Sequence, residues 1–222
     1  MRIWFISDTH NQHGHLRVPE ADVVMHCGDE STNQIPALNE PEARRFFEWY
    51  RQLEIPVKVF VPGNHSTAIE NGLVSPENYP EIHFLIHQQL VIDGIKIFGS
   101  PYVPQFHDWA YMKKRTRLDQ VWQTIPADTE ILLTHGPPKG VLDLTHDFEN
   151  KQLVQVGCAA LRRHVEQRIQ PAIHAFGHLH DEHGISNYGI YKRSVTQYLN
   201  CSVCNLRGEF ANNGFLIDYP YR

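Results

Sequence analysis

Five short apolar runs, each ending in a polar cluster of Asp, His or Asn, constrain this 222-residue chain more than any other feature. Residues 2–6 run into Ser-Asp-Thr-His and 21–26 into Cys-Gly-Asp. Residues 57–61 run into Pro-Gly-Asn-His, 130–133 into Thr-His-Gly-Pro-Pro, and 172–176 into Gly-His-Leu-His. Their length and their β-branched or aromatic content predict buried strands. Helical patterning predicts helices over 41–53, through Phe46, Phe47, Trp49, Tyr50 and Leu53, and over 153–169, through Val154, Val156, Leu161, Val165 and Ile169, before Pro171 stops the second. Asp93-Gly94 between apolar stretches predicts a hairpin over 90–98, and 214–219 reads as a terminal strand. Strands alternating with helices, followed by strand pairs, predict a layered α/β architecture, with residues 1–222 forming one domain.

Ligands of open α/β sheets bind just beyond the carboxyl ends of strands, and the polar clusters lie there. Each cluster taken singly reads as an ordinary turn with a solvated side chain. Gly-His-Leu-His is harder to read so, because His178 and His180 follow a buried strand at period two. Independent turns have no reason to gather metal-type donors five times over. The donors are Asp8, His10, Asp29, Asn64, His135, His178 and His180. One small ion takes about four ligands, so these seven fit two ions that share a carboxylate. Mixed nitrogen and oxygen donors without thiolate suit Mn, Fe, Zn, Co or Ni.

The chain holds 15 histidines against 11 phenylalanines, and position decides what that excess means. His26 and His174 lie within strands and read as core or supporting groups. His83, His87, His146, His164 and His183 read as surface residues. His13 and His15 lie close enough to Asp8 and His10 to touch a substrate. His107 lies in segment 101–117, a long loop with Tyr102, Phe106, Trp109, Tyr111 and the basic run Lys113-Lys114-Arg115-Thr116-Arg117. That loop is either pinned by its aromatics or a substrate cover, which makes His107 a candidate substrate contact.

Other classes are disfavoured. No apolar run approaches the roughly 18 residues of a membrane span. The N-terminal apolar stretch meets Asp8 at once and is too short for a signal peptide, so a cytoplasmic location and no membrane partner are expected. The net charge of −5 provides no basic field for stable nucleic-acid binding. Cys201 and Cys204 lack the second pair that a zinc site needs, so the 4 cysteines read as reduced thiols.

The ordered set Asp-x-His, Gly-Asp, Gly-Asn-His, Thr-His-Gly and Gly-His-x-His, from Asp8 to His180, resembles the calcineurin-like metallophosphoesterases. Ser7-Asp8-Thr9-His10, Cys27-Gly28-Asp29, Gly99-Ser100-Pro101, Thr134-His135-Gly136-Pro137-Pro138, Val141-Leu142-Asp143 and Gly157-Cys158 resemble the subgroup called metallophosphoesterase-domain-containing proteins. That subgroup is known for phosphodiesterase activity. Asn200 with Ser202 is similar to its C-terminal Asn-x-Ser segment, which makes Asn200 a second candidate substrate contact. The resemblance implies an α/β/β/α sandwich of two mixed sheets flanked by helices. It implies two divalent metals, manganese foremost: Asp8, His10, Asp29 and His180 on one, and Asp29, Asn64, His135 and His178 on the other, with Asp29 bridging. A bridging hydroxide would attack phosphorus in line, and His65 would face the phosphate and the leaving group.

Two positions depart from the pattern. Ser66 follows Gly-Asn-His where an acid is frequent, leaving Glu70 or Asp181 as candidate orienters of His65. Glu30 follows Gly-Asp where an uncharged residue is usual. The stretch Glu30-Ser31-Thr32-Asn33-Gln34 holds no arginine to bind a dianion, and a Glu30 facing the site would repel one. A small-molecule phosphodiester is therefore the expected substrate, and the resemblance alone implies a cyclic nucleotide as one such diester. The competing readings are a scaffold with structural metals, a phosphomonoesterase and a nuclease. The complete donor set with His65 favours an enzyme, and the net charge counts against a nuclease.

Overall fold

The computed structural model describes residues 1–147 and 149–219. One sheet has 5 strands in the order Phe215–Asp218, Arg2–Ile6, Val23–His26, Val57–Phe60 and Ile82–Phe84. Its first pair is antiparallel and the rest are parallel. A second sheet has 6 strands in the order Gly189–Arg193, Thr196–Asn200, Ile173–Phe176, Ile131–Thr134, Ile95–Ser100 and Gln88–Ile92. Its inner strands are parallel and both edge pairs antiparallel.

Strand alternation builds the layers. Ile3, Phe5, Val23, Met25, Val59 and Val61 meet Ile97, Ile131, Leu133, Ile173, Ala175 and Leu199 in a core between the two sheets. The opposite faces go outward to helices. Trp4, Ile6, Val24 and Phe60 pack on Phe46, Phe47 and Tyr50 of helix Pro36–Arg51. Phe98, Leu132, Phe176 and Tyr198 pack on Leu118 and Trp122 of helix Arg115–Gln123 and on Leu161 and Val165 of the segment from Ala159 to Ile169. Each sheet is thus apolar on both faces, as parallel sheets covered by helices must be, and the layering is α/β/β/α.

Three expected elements differ. The first helix starts at Pro36, not at residue 41; Pro36 takes the first-turn place and Pro41 lies inside. The helix expected over 153–169 is split. Gln152–Gln155 pairs antiparallel with Leu144–Asp147, and the helix begins only at Ala159, after Cys158. Gly157 separates them, held by its N–H to Asp143 Oδ2 at 3.0 Å, where an added Cβ would lie 2.8 Å from the Pro138 backbone. The basic run is no loop: Met112–Lys113 pairs with Val103–Pro104, and Arg115 opens a helix.

His174 lies fully buried on the central strand Ile173–Phe176, with Nε2 2.8 Å from Thr134 Oγ1. Burial pushes its pKa down to about 3. The group is therefore neutral in the fold and charges more readily when unfolded. Its contribution is present above the unfolded value near 6.5 and is lost as pH falls towards 3. Over that window His174→Leu is expected to flatten the loss of unfolding free energy by about 1.4 kcal/mol per pH unit. Thr134 keeps its hydrogen bond to Gly136 O in the variant. Urea titrations at pH 7 and 5 check this, and equal slopes for parent and variant would contradict it.

Candidate metal centre

The five polar clusters meet at the carboxyl ends of the parallel strands. Ligand atoms of Asp8, His10 and His180 lie within 4.8 Å of one another, and so do those of Asp29, His135 and His178. Asn64 joins the second group through Oδ1, 2.9 Å from His135 Nε2. All seven residues expected as donors lie in this region, and Asp29 groups with His135 and His178. The two groups are tied together: His178 N–H donates to both Asp8 oxygens, at 3.1 and 2.9 Å.

The backbone explains how the turns aim these side chains. Asp8, His10, Asp29 and His178 have φ of 53°, 38°, 58° and 70°, in the left-handed region that non-glycine residues rarely occupy. Such strain persists only where the surroundings fix it, and it clusters at functional sites. A Cβ at Gly177 would collide with the Asp8 carboxylate and Ser7 Oγ, and one at Gly63 with Asp29 Oδ1. These glycines let neighbouring turns approach within ligand distance.

Three of the four histidines are presented in one way. His10 Nδ1 bonds Ser31 O at 2.8 Å, His135 Nδ1 bonds Cys27 O at 2.9 Å, and His180 Nδ1 bonds Asn205 O at 3.1 Å. A carbonyl only accepts, so each Nδ1 carries the proton and each Nε2 turns inward as a donor atom. Nε2 of His10 and Nε2 of His180 lie 3.4 Å apart, with Asp8 Oδ1 3.2 Å from the latter. Nε2 of His135 faces Asn64 Oδ1 and Asp29 Oδ2, the latter at 3.2 Å. Two ring nitrogens facing each other, and a ring with acceptors at both nitrogens, are arrangements that a bound cation or a proton resolves. The donor set thus fits two cations.

Without cations the carboxylates draw protons onto two of the rings: burial works against charge on His180, but Asp8 outweighs it and raises the ring. Burial works against charge on His135, but Asp29 and Asp8 outweigh it and push the ring up to about 9. Burial would raise Asp8 and Asp29, yet the surrounding histidines hold both well below the usual carboxylate range. Burial brings His10 down to about 4 and His178 to about 3. Both carboxylates are therefore ionised donors, and His10 and His178 neutral ones.

His65 belongs to neither group. Its Nδ1 bonds Thr32 O at 2.7 Å, and its Nε2 lies 3.9 Å from Asp29 Oδ2. The orienting partner is thus a backbone carbonyl. Neither expected acid serves: Glu70 accepts from Tyr111 N, and Asp181 from Asn187 N and Tyr188 N. Glu30 does not face the site either. It is fully buried, bonded to Ser66 Oγ and Ser31 Oγ, and burial pushes its carboxyl up to about 7. The repulsion of dianions that was expected from it has no basis.

A cavity of about 590 Å³ opens over both groups, lined on one side by His10, Asp29, Asn64, His65, His178 and His180. Pro104, Phe106, Trp109, Pro137, Leu179 and Leu206 give it an apolar wall, and Arg115 and Arg207 reach its edge. Trp109 packs edge-on against His65 with centroids 5.2 Å apart, and Phe106 lies 5.5 Å from His178. Segment 101–117 thus supplies a wall, but through Phe106 and Trp109. His107 is exposed and stacks on Trp109 outside the lining residues. Asn200 also lies outside the lining residues. It is fully buried, with its amide donating to Leu179 O and its oxygen accepting Ser202 N–H, so it braces the loop between His178 and His180. Ser202 Oγ in turn donates to Asp8 Oδ2 at 3.0 Å.

Other histidines find structural partners. His26 is buried and bonds Thr9 Oγ1 and Gly28 N, steadying the turn before Asp29. His13 packs on Phe46 and Trp49, and His15 against Phe210. His87, expected at the surface, is half-buried between Ser100 Oγ and Thr124 Oγ1. Asn39 carries a role that no sequence signal announced: its amide donates to His65 O at 2.6 Å and its oxygen accepts Ala68 N–H.

A sandwich of two mixed sheets with two buried donor groups at its strand ends is the frame of a metal-binding site. Residues 1–182 match the family model of the calcineurin-like phosphoesterases, and the chain belongs to that family. It is 31% identical to human metallophosphoesterase domain-containing protein 1 over 97% of this chain and 70% of that protein. It is 32% identical to a UPF0046 protein of Caenorhabditis elegans over 99% of this chain and 76% of that one. Among solved structures, the phosphopantetheinyl hydrolase of Mycobacterium tuberculosis shares the fold, with a TM-score of 0.61 at 13% identity over 93% of this chain and 90% of that one. No helix among the described residues is long and apolar enough to cross a membrane.

Proposed function

We propose that the chain hydrolyses small-molecule phosphodiesters with two divalent transition-metal cations, manganese foremost among Mn, Fe, Zn, Co and Ni. Asp8, His10 and His180 would hold one, Asn64, His135 and His178 the other, and Asp29 both. Such cations supply Lewis acidity and a nucleophilic water at neutral pH. The protein supplies the rest. His65, with Nδ1–H committed to Thr32 O, offers Nε2 to the cavity, where in protonated form it donates to the departing ester oxygen. Phe106 and Trp109 receive an ester substituent beside the phosphate.

The apolar wall touching His65 and His178 carries the diester reading. A diester brings a second organic group to cover that wall, and a small monoester leaves much of it wet. The Gly-Asp turn also holds no cation: Glu30, Ser31 and Thr32 follow Asp29. With Mn at neutral pH, kcat/KM for bis(4-nitrophenyl) phosphate is expected to exceed that for 4-nitrophenyl phosphate. Trp109→Ala should raise KM for the diester roughly tenfold, the equivalent of about 1.4 kcal/mol of lost apolar burial. A clear preference for the monoester would overturn the reading and point to Arg115 or Arg207 as the anchor of a dianion. A metal-loaded protein that hydrolyses neither ester would favour a scaffold.

A further inference from the structure

Asp29 and Glu30, adjacent in the chain, both grip the turn from Gly63 to Ser66. Asp29 Oδ1 accepts His65 N–H at 2.7 Å. Glu30 Oε2 accepts the Ser66 hydroxyl at 2.6 Å, and Ser66 Oγ accepts Gly63 N–H at 2.9 Å. Between these anchors lie Asn64 and His65. Ser66 has a single hydroxyl proton. Giving it to Glu30 leaves the oxygen lone pairs facing Gly63 N–H, so the carboxylate fixes the direction of the whole relay. Glu30 and Ser66 are both fully buried. Glu30 satisfies its other oxygen through Ser31 Oγ at 3.2 Å. A buried acid is costly, and this one has no cationic partner among these contacts. Its bonds go to the Gly-Asn-His turn and to its own neighbour. The two positions that depart from the expected motif pattern are thus in contact, and an acid at one faces a hydroxyl at the other.

We propose that Glu30 is a positioning residue for Asn64 and His65, acting through Ser66. It supplies from the Gly-Asp turn the carboxylate that an acid at position 66 would otherwise supply. The inference rests on the metal-centre reading of Asn64. Its test uses Mn binding to the metal-free protein, followed by calorimetry, beside kcat/KM for bis(4-nitrophenyl) phosphate. Partners that orient metal ligands are typically worth 10–100-fold in affinity. Glu30→Ala and Ser66→Ala are expected to weaken one of two Mn sites by about that factor and to leave the other within about threefold. The exchange E30S/S66E, which keeps the total side-chain volume and returns the carboxylate to the turn, should restore affinity and kcat/KM to within about threefold of the parent. Ser66→Ala removes a single oxygen atom and keeps the core packing, so it tests the proposal even where a Glu30 variant fails to fold. Parent-like Mn affinity in Ser66→Ala, or a folded exchange variant that binds no tighter than Glu30→Ala, overturns the proposal. A parent that binds no Mn overturns the metal-centre reading, and this one with it.

Discussion

Asp29→Asn is expected to lower both cation occupancies together, whereas His178→Ala lowers one. Asp29 is about 2% exposed, and its Oδ2 lies 3.2 Å from His135 Nε2 and 3.9 Å from His65 Nε2. Its charge is felt by His10 and His180 in the other donor group as well as by His135 and His178. The amide keeps an oxygen for His65 N–H, so the turn is retained. What is lost is a full negative charge in a buried site, where charge is poorly screened. Affinity at both positions should fall by at least about 100-fold, beyond what loss of a mere supporting partner causes. Elemental analysis after Mn or Zn is resupplied and excess metal removed checks this. The parent should carry about two ions per chain, the number that seven donors support. A variant that keeps two ions would show that Asp29 is not common to them. A parent with no more than one ion would count against the paired site itself.

The parts of the fold that sequence patterning reached are those fixed by local chemistry. All five runs before the polar clusters are strands, because each is short, apolar and closed by a turn. Two strands of the second sheet were not legible. Gly189–Arg193 and Thr196–Asn200 carry no strong alternation, and their pairing is set by the neighbours they dock against. Helix Arg115–Gln123 was hidden by its charges; Leu118 and Trp122, four apart, are its buried contacts. Val154 and Val156 fit a strand period as well as a helical stripe, and Gly157 was the local sign that the helix could not begin there.

The donors of the metal centre were legible because each sits on a motif whose glycine or positive φ is forced by close approach. Their supports were not. Thr32 acts on His65 through a main-chain carbonyl, which any residue would offer. Glu30 and Ser66 are 36 residues apart, and each looked like an isolated departure until the fold joined them. His107 and Asn200 lie outside the cavity lining for related reasons. An aromatic loop does not reveal which of its rings faces inward, and a buried amide beside a site is most often consumed by backbone.

His65→Ala is the change expected to separate binding from chemistry. The side chain lies outside both donor groups, so the variant should keep its metals. Its surroundings hold one ring orientation: Thr32 O takes Nδ1–H at 2.7 Å, Trp109 packs edge-on at 5.2 Å, and the His10 ring lies 4.9 Å away. A fixed imidazole with Nε2 turned to the cavity is placed to give a proton to a leaving oxygen or to steady charge on phosphoryl oxygens. General acids of this kind are worth about 10²–10⁴-fold, and kcat should fall by that order. The loss should grow with the basicity of the leaving group. Nitrophenolate departs almost without help, but an alkoxide needs the proton, so the variant should lose more on alkyl diesters than on nitrophenyl ones. Metal content, kcat on a graded series of aryl and alkyl diesters, and kcat against pH read metal binding, leaving-group assistance and the protonation of the ring separately. If the variant hydrolyses alkyl esters at the parent rate, His65 is a packed ring and nothing more. If it loses metal, His65 is a ligand. A uniform loss across the series would assign it to charge stabilisation at the phosphate and leave the proton to come from water.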